Sequence, residues 1–131
     1  MVLNLPAQVR VYLARNATDM RKAFDGLCMI VKHQFHRDPF NGDVFAFFNR
    51  ARDRVKLLVW DGNGFWILSK RLERGTFDAW RPTGDAVHVE IERTQLTMLL
   101  EGVDMKNSKY RRHFTRTVRI DGSGERSASG G

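Results

Sequence analysis

The chain of 131 residues contains a single cysteine, Cys28. That excludes an internal disulfide framework and any zinc cluster built on cysteine. No apolar run approaches the roughly 20 residues that a membrane span needs. The first residues, Met1-Val2-Leu3-Asn4-Leu5-Pro6, lack a basic segment followed by an apolar one, so no secretory leader is legible. A cytoplasmic, reducing compartment is the resulting expectation, with no membrane partner. Internal repeats and long linkers are also missing. So are a P-loop and a dinucleotide fingerprint, because Gly62-Asn63-Gly64 is too short and lies in a hairpin. Acidic residues are in deficit, 15 against 22 Lys and Arg. The net charge of +7 favours a polyanionic partner.

What remains is a globular composition, 42% hydrophobic and 28% charged, long enough for one core to close without staples. Val9, Val11 and Leu13 alternate within residues 8–14 and predict a first strand. Thr18 or Asp19 is placed to cap a helix over 19–34. Met20, Phe24, Leu27 and Val31 recur there at helical spacing, and Asp38-Pro39 bounds it. Strands follow at 44–48, 54–60 and 65–70, with Asp61-Gly62-Asn63-Gly64 as the tight connection. Together they make a three-stranded antiparallel meander that a shorter strand at 86–91 can join. Residues 94–101 read as a short helix, capped by Thr94 and stopped by Gly102. The predicted fold is a single α+β domain over 1–104. It has an antiparallel sheet of four or five strands, the main helix on one face and the short C-terminal helix at an edge. Trp60 and Phe24 are the expected anchors between sheet and helix. Residues 105–131 read as a basic then Gly/Ser-rich flexible tail.

Residues 49–74 hold seven bases, Arg50, Arg52, Arg54, Lys56, Lys70, Arg71 and Arg74, against three acids. Trp60, Phe65 and Trp66 are interleaved with them. Adjacent strands would carry Arg54 and Lys56 near Lys70 and Arg71. A basic sheet end with aromatics beside it suits phosphate contacts plus stacking, and a solvated strand face with core aromatics suits the same pattern. Residues 106–119 form a second basic stretch, either a DNA-contacting arm or a solubilising tail. His33, His36 and Cys28 lack the convergent third and fourth ligands of a metal site. Asp43 and Asp61 stand at strand edges beside turn glycines, where Asp ordinarily bonds local backbone N–H groups. As metal ligands they would be the basis of a cryptic metal-dependent nuclease. Nothing else points to an enzyme, and no cofactor is expected.

Three blocks carry a family resemblance. Thr18-Asp19-Met20-Arg21-Lys22-Ala23-Phe24-Asp25-Gly26-Leu27 resembles the signature TDMRKxFDGL. Residues Asp53 to Phe65 resemble DRxKxLxWDGxGF, and Lys70 to Phe77 resemble KRLExGxF. Leu99-Leu100-Glu101-Gly102-Val103-Asp104 is similar to a closing LLEGID, after which Met105-Lys106 departs from the family's usual aromatic residue. These blocks belong to the TnpB-type accessory proteins of the sixty-six group of bacterial insertion sequences, which are distinct from the RNA-guided nuclease of the same label. The resemblance implies a small protein encoded beside a larger DDE-type transposase and needed for efficient transposition, with no catalytic residue to carry over. The expected partners are DNA, at element ends or non-specifically, and the transposase. A pure protein adaptor without DNA affinity is the alternative, beside the nuclease. Arg21 and Lys22 join the basic residues above as candidate contacts, since cations in a helix's first turn oppose its dipole and such a cost points to function.

Overall fold

A computed structural model describes residues 6, 8–77, 85–101, 103–104 and 109–110. The elements are β1 (Val11–Ala14), α1 (Phe24–His33), β2 (Val44–Phe48), β3 (Arg54–Trp60), β4 (Phe65–Arg71), β5 (His88–Ile91), α2 (Arg93–Glu101), β6 (Val103–Asp104) and β7 (Lys109–Tyr110). The class is α+β, as expected. Five strands form one sheet in the order β4-β3-β2-β1-β5, and β6 pairs with β7 separately. The meander β2-β3-β4 is antiparallel, and β5 joins antiparallel to β1. The sheet is mixed rather than wholly antiparallel, because β1 pairs parallel to β2. A parallel neighbour demands a crossover, and α1 supplies it.

The two helices lie on opposite faces. Tyr12, Phe45, Phe47 and Leu58 point toward Leu27 and Val31 of α1 and toward Phe35. Val11, Leu13, Val44, Ala46, Phe48, Val55, Leu57 and Val59 point toward Leu96, Leu99 and Leu100 of α2 and toward Phe77. The short helix therefore covers a face, not an edge. This explains why all five residues of β2, Val-Phe-Ala-Phe-Phe, are buried. A strand covered on both sides reads as a continuous apolar run.

Helix α1 starts later than its spacing predicts. Asp19 binds its own neighbourhood instead: its Oδ1 accepts the Arg21 amide at 2.9 Å, and its carbonyl accepts the Lys22 amide at 3.1 Å. Local side-chain bonding of this kind competes with helix formation. Residues 18–23 are consequently a non-helical lead-in. The helix begins at Phe24 without a side-chain cap at Ala23. The apolar stripe shifts with it, so that Leu27 and Val31 carry the packing and Phe35 extends it beyond the helix. Phe24 is 45% exposed and is no core anchor. Trp60 is half-buried against Phe40 and Phe65 at the hairpin tip, with ring centroids 5.0 and 4.9 Å away. Helix α2 begins one residue before Thr94, and its cap is the side chain of Gln95, which accepts the Glu92 amide at 2.8 Å. Gly102 and the tail, apart from Lys109 and Tyr110, lie outside the described residues.

Candidate functional site

The first sequence block meets the start of the second and the third at one end of the sheet. Thr18 is buried and its amide donates to the Phe48 carbonyl at 2.8 Å, which ties the lead-in to the end of β2. Lys56 reaches across from β3, and its Nζ donates to the Lys22 carbonyl at 2.8 Å. That carbonyl lies outside the helical ladder and needs such a partner. Gly26 permits the approach: a Cβ there would stand 3.2 Å from both Cβ and Cγ of Lys22. After β4 the Leu72 amide donates to the Asp53 carbonyl at 2.8 Å, and the Phe77 amide to the Arg52 carbonyl at 2.7 Å. Phe77 then packs against Phe48, ring centroids 5.9 Å apart. Sequence reasoning missed Phe77. The signal available was a lone aromatic after a basic segment, closing the third block.

Between these segments opens a shallow groove of about 420 Å³, lined by Met20, Arg54, Val55, Lys56, Ser69, Lys70 and Arg71. No acidic residue lines it, and Glu73 stands just outside, its Oε2 3.6 Å from Arg71 Nη2. Strand register explains the gathering, since Arg54 stands opposite Arg71 and Lys56 opposite Ser69. These residues share the α1 face of the sheet, because alternate residues of a strand point the same way. Lys70, opposite Val55, belongs to the other face, and its Nζ donates to the Leu100 carbonyl at 2.7 Å. A cation on the final carbonyls of α2 satisfies groups that a helix leaves unpaired.

The remaining expected residues divide. Arg21 is highly exposed and sits beside Asp19, with Nη2 2.7 Å from Oδ2 and Nε 3.1 Å from both carboxylate oxygens. These bonds hold the Asp19 carboxyl well below the usual carboxylate range and raise the Arg21 guanidinium. Arg21 thus pairs with Asp19. Neither it nor Lys22 stands in the first turn of a helix, so the dipole conflict expected of them does not arise. Arg52 is structural: its φ is +61°, its guanidinium lies 4.6 Å from the Phe48 ring centroid, and its Nε meets the Phe77 carbonyl at 3.5 Å. Arg50 is exposed in the connection between β2 and β3, and Arg74 is exposed beyond β4.

The aromatics do not accompany the bases. Trp60 and Phe65 face one another at the hairpin tip, whereas Arg54 and Arg71 face one another at the other end of the same two strands. Six residue steps separate the ends, about 20 Å at the usual strand rise. Interleaving in sequence therefore does not produce one combined surface within a single chain.

Of the two acids, Asp61 bonds its own turn, whereas Asp43 ties its segment to the residue before β1. Asp43 accepts the Arg10 amide at 3.2 Å. Asp61 accepts the Trp66 indole N–H at 2.6 Å and the amides of Asn63 and Gly64 at 3.3 and 3.2 Å. The indole and then these amides lower the Asp61 carboxyl below its ordinary range. Among the described residues no group of three or more His, Cys, Asp or Glu could hold a metal ion, and none of the described helices is long and apolar enough to cross a membrane. Burial pushes the Cys28 thiol up, which disfavours the reactive thiolate.

Comparison with known proteins agrees with the sequence blocks. Two proteins of Sinorhizobium fredii are similar over most of their length. One, described as uncharacterized protein y4hO, is 35% identical over 99 residues, covering 76% of this chain and 84% of its own. The other, uncharacterized protein y4jC, is 32% identical over 102 residues, covering 77% and 85%. No solved structure matches. The family model described as IS66 Orf2 like protein matches residues 9–110, a span that contains all three blocks and the groove they enclose, and the chain belongs to that family of insertion-sequence accessory proteins.

Proposed function

We propose that this protein is a non-enzymatic accessory factor in transposition of an insertion sequence, and that it acts by holding nucleic-acid phosphates in the groove at the basic end of the sheet. The observation that carries this reading is the acid-free lining, in which Arg54, Lys56 and Arg71 share one face and Met20 closes the side. Family membership supports the transposition role. The groove is shallow and offers cations to a backbone rather than a pocket to a base, so binding is expected to be tolerant of sequence and steep in salt. Arg21 and Lys22 adjoin Met20 of the lining, Arg21 already paired with Asp19.

A salt series of gel shifts, with element-end and random duplexes, tests the proposal. Each phosphate contact removed should flatten the slope of log K against log salt by about 0.9. Arg54→Ala/Arg71→Ala should weaken binding to both duplexes alike, because neither side chain supports the core. Arg21→Ala/Lys22→Ala should weaken transposition of a marked element, with the transposase supplied separately, in a protein that still folds. Wild-type slope and affinity in the Arg54/Arg71 variant would overturn the groove as the phosphate site. Retention of the transposase after nuclease treatment, with no affinity for free DNA, would instead assign the basic end to an acidic surface of that protein.

A further inference from the structure

Strand β4 is an edge of the five-stranded sheet, and among the described residues no strand pairs with its outer side. It is seven residues long, while β5 at the opposite edge has four. Its sequence, Phe65-Trp66-Ile67-Leu68-Ser69-Lys70-Arg71, begins aromatic, is apolar at the centre and ends basic. Trp66 is 57% exposed. Long edges with apolar side chains are the ones proteins ordinarily cover or blunt.

The direction of the outward backbone groups follows from the hairpin. The Asp61 amide bonds the Gly64 carbonyl, and the Leu72 amide bonds the Asp53 carbonyl. Bonded and non-bonded pairs alternate along an antiparallel ladder. Trp66, Leu68 and Lys70 therefore direct their N–H and C=O toward β3, and Phe65, Ile67, Ser69 and Arg71 direct theirs outward.

We propose that a second copy of this chain occupies that edge, with β4 antiparallel to β4 and the two-fold axis at Leu68. In this register every outward backbone group of one strand meets an outward group of the other, because Phe65 then stands opposite Arg71 and Ile67 opposite Ser69. Trp66 stands opposite Lys70, and Leu68 meets its own copy. Each cation of one strand faces an aromatic ring of the other, the geometry of a cation–π contact, and the cations of the two chains stay at opposite ends of the joint. The strand is complementary to itself in the placing of cations against rings, in apolar character and in backbone parity. Pairing also supplies what one chain lacks. The aromatic end, about 20 Å from the basic end within a chain, arrives beside the groove of the other copy, so each joint carries two surfaces with both cations and rings.

Sedimentation of the full chain without DNA, across concentrations reaching tens of micromolar, should give the mass of two chains. A monomer throughout would overturn the proposal whatever the groove binds. Register is tested by cross-linking in a Cys28→Ala background. Leu68→Cys would place two Cα atoms about 4.5 Å apart as a non-bonded pair, within the span a disulfide bridges. Trp66→Cys would leave them roughly 13 Å apart along the strands. Mild oxidation should give covalent dimer from the first and not the second, and equal or reversed yields would refute the register. Trp66→Lys should split the dimer by facing Lys70, and Trp66→Lys/Lys70→Glu should restore it. A dimer unaffected by Trp66→Lys would place the contact elsewhere.

Discussion

Replacing Phe47 or Phe24 by alanine separates the core that forms from the one that helical spacing alone suggests. Phe47 is fully buried in β2, stacked on Phe35 with ring centroids 5.9 Å apart. Its truncation removes a buried aromatic from a strand covered on both faces, where relaxation is hindered, and should cost about 3–5 kcal/mol. Phe24 is 45% exposed at the start of α1. Roughly half of a full burial value of about 1.5–3 kcal/mol is at stake there, and alanine returns a few tenths through its helix propensity. The net loss should be under about 1 kcal/mol. Urea melts followed by far-UV circular dichroism read both. At a slope of about 1.5–2 kcal/mol per molar for a domain of this size, Phe47→Ala should lower the midpoint by roughly 2 M and Phe24→Ala by less than about 0.5 M. Should Phe47→Ala fail to fold, Phe47→Leu gives the same ordering with a smaller loss. Equal shifts, or a larger one for Phe24→Ala, would mean that α1 packs through its first turn and that the lead-in is helical after all.

Arg52 adopts φ +61°, so Arg52→Gly should retain more stability than Arg52→Ala, because glycine alone carries no steric cost in that region; thermal melts of the two rank them, and neither variant should change the salt slope of DNA binding. Gly42, at φ +89°, should lose about 1 kcal/mol on substitution by alanine through backbone strain alone, since the nearest atom to an added Cβ is the Trp60 carbonyl oxygen at 3.9 Å; a neutral result in a denaturant melt would contradict this. Acid should loosen the hairpin tip. The Asp61 carboxyl is lowered in the folded protein from an unfolded value near 3.9, so its stabilising contribution is complete above about pH 4 and is lost as pH falls through the folded value. Tryptophan emission should report release of the Trp66 indole over that range, and Asp61→Asn should remove the transition.

Local patterns were legible wherever a residue's neighbours along the chain decide its conformation. The strand ranges 44–48, 54–60 and 65–70 and the Asp61–Gly64 connection follow from alternation and turn chemistry, and they recur in β2, β3 and β4 with at most one residue added at an end. That Arg54 lies near Arg71 followed from the adjacency of the two strands. Three features did not. The start of α1 depended on Asp19 folding back onto Arg21 and Lys22, a competition between two local bonding modes that helical spacing does not register. The position of α2 depended on β2 offering a second apolar face, and a run such as Val-Phe-Ala-Phe-Phe hides that alternation because both faces are apolar. The role of Lys70 depended on the Leu100 carbonyl, 30 residues away.

The sequence by itself determined the polarity of the molecule: a basic, single-cysteine chain with three motif blocks and a hairpin whose cations and aromatics follow from residue order. Only the tertiary structure decided which of these residues share a place. The parallel pairing of β1 with β2 carries the lead-in to the end of β2. Two covered faces separate Lys56 from Lys70, and strand length holds the aromatic tip away from the basic groove. These are consequences of contacts between residues distant in the chain, which no local spacing encodes, because a side chain's neighbours across a sheet are set by register and by what packs on each face.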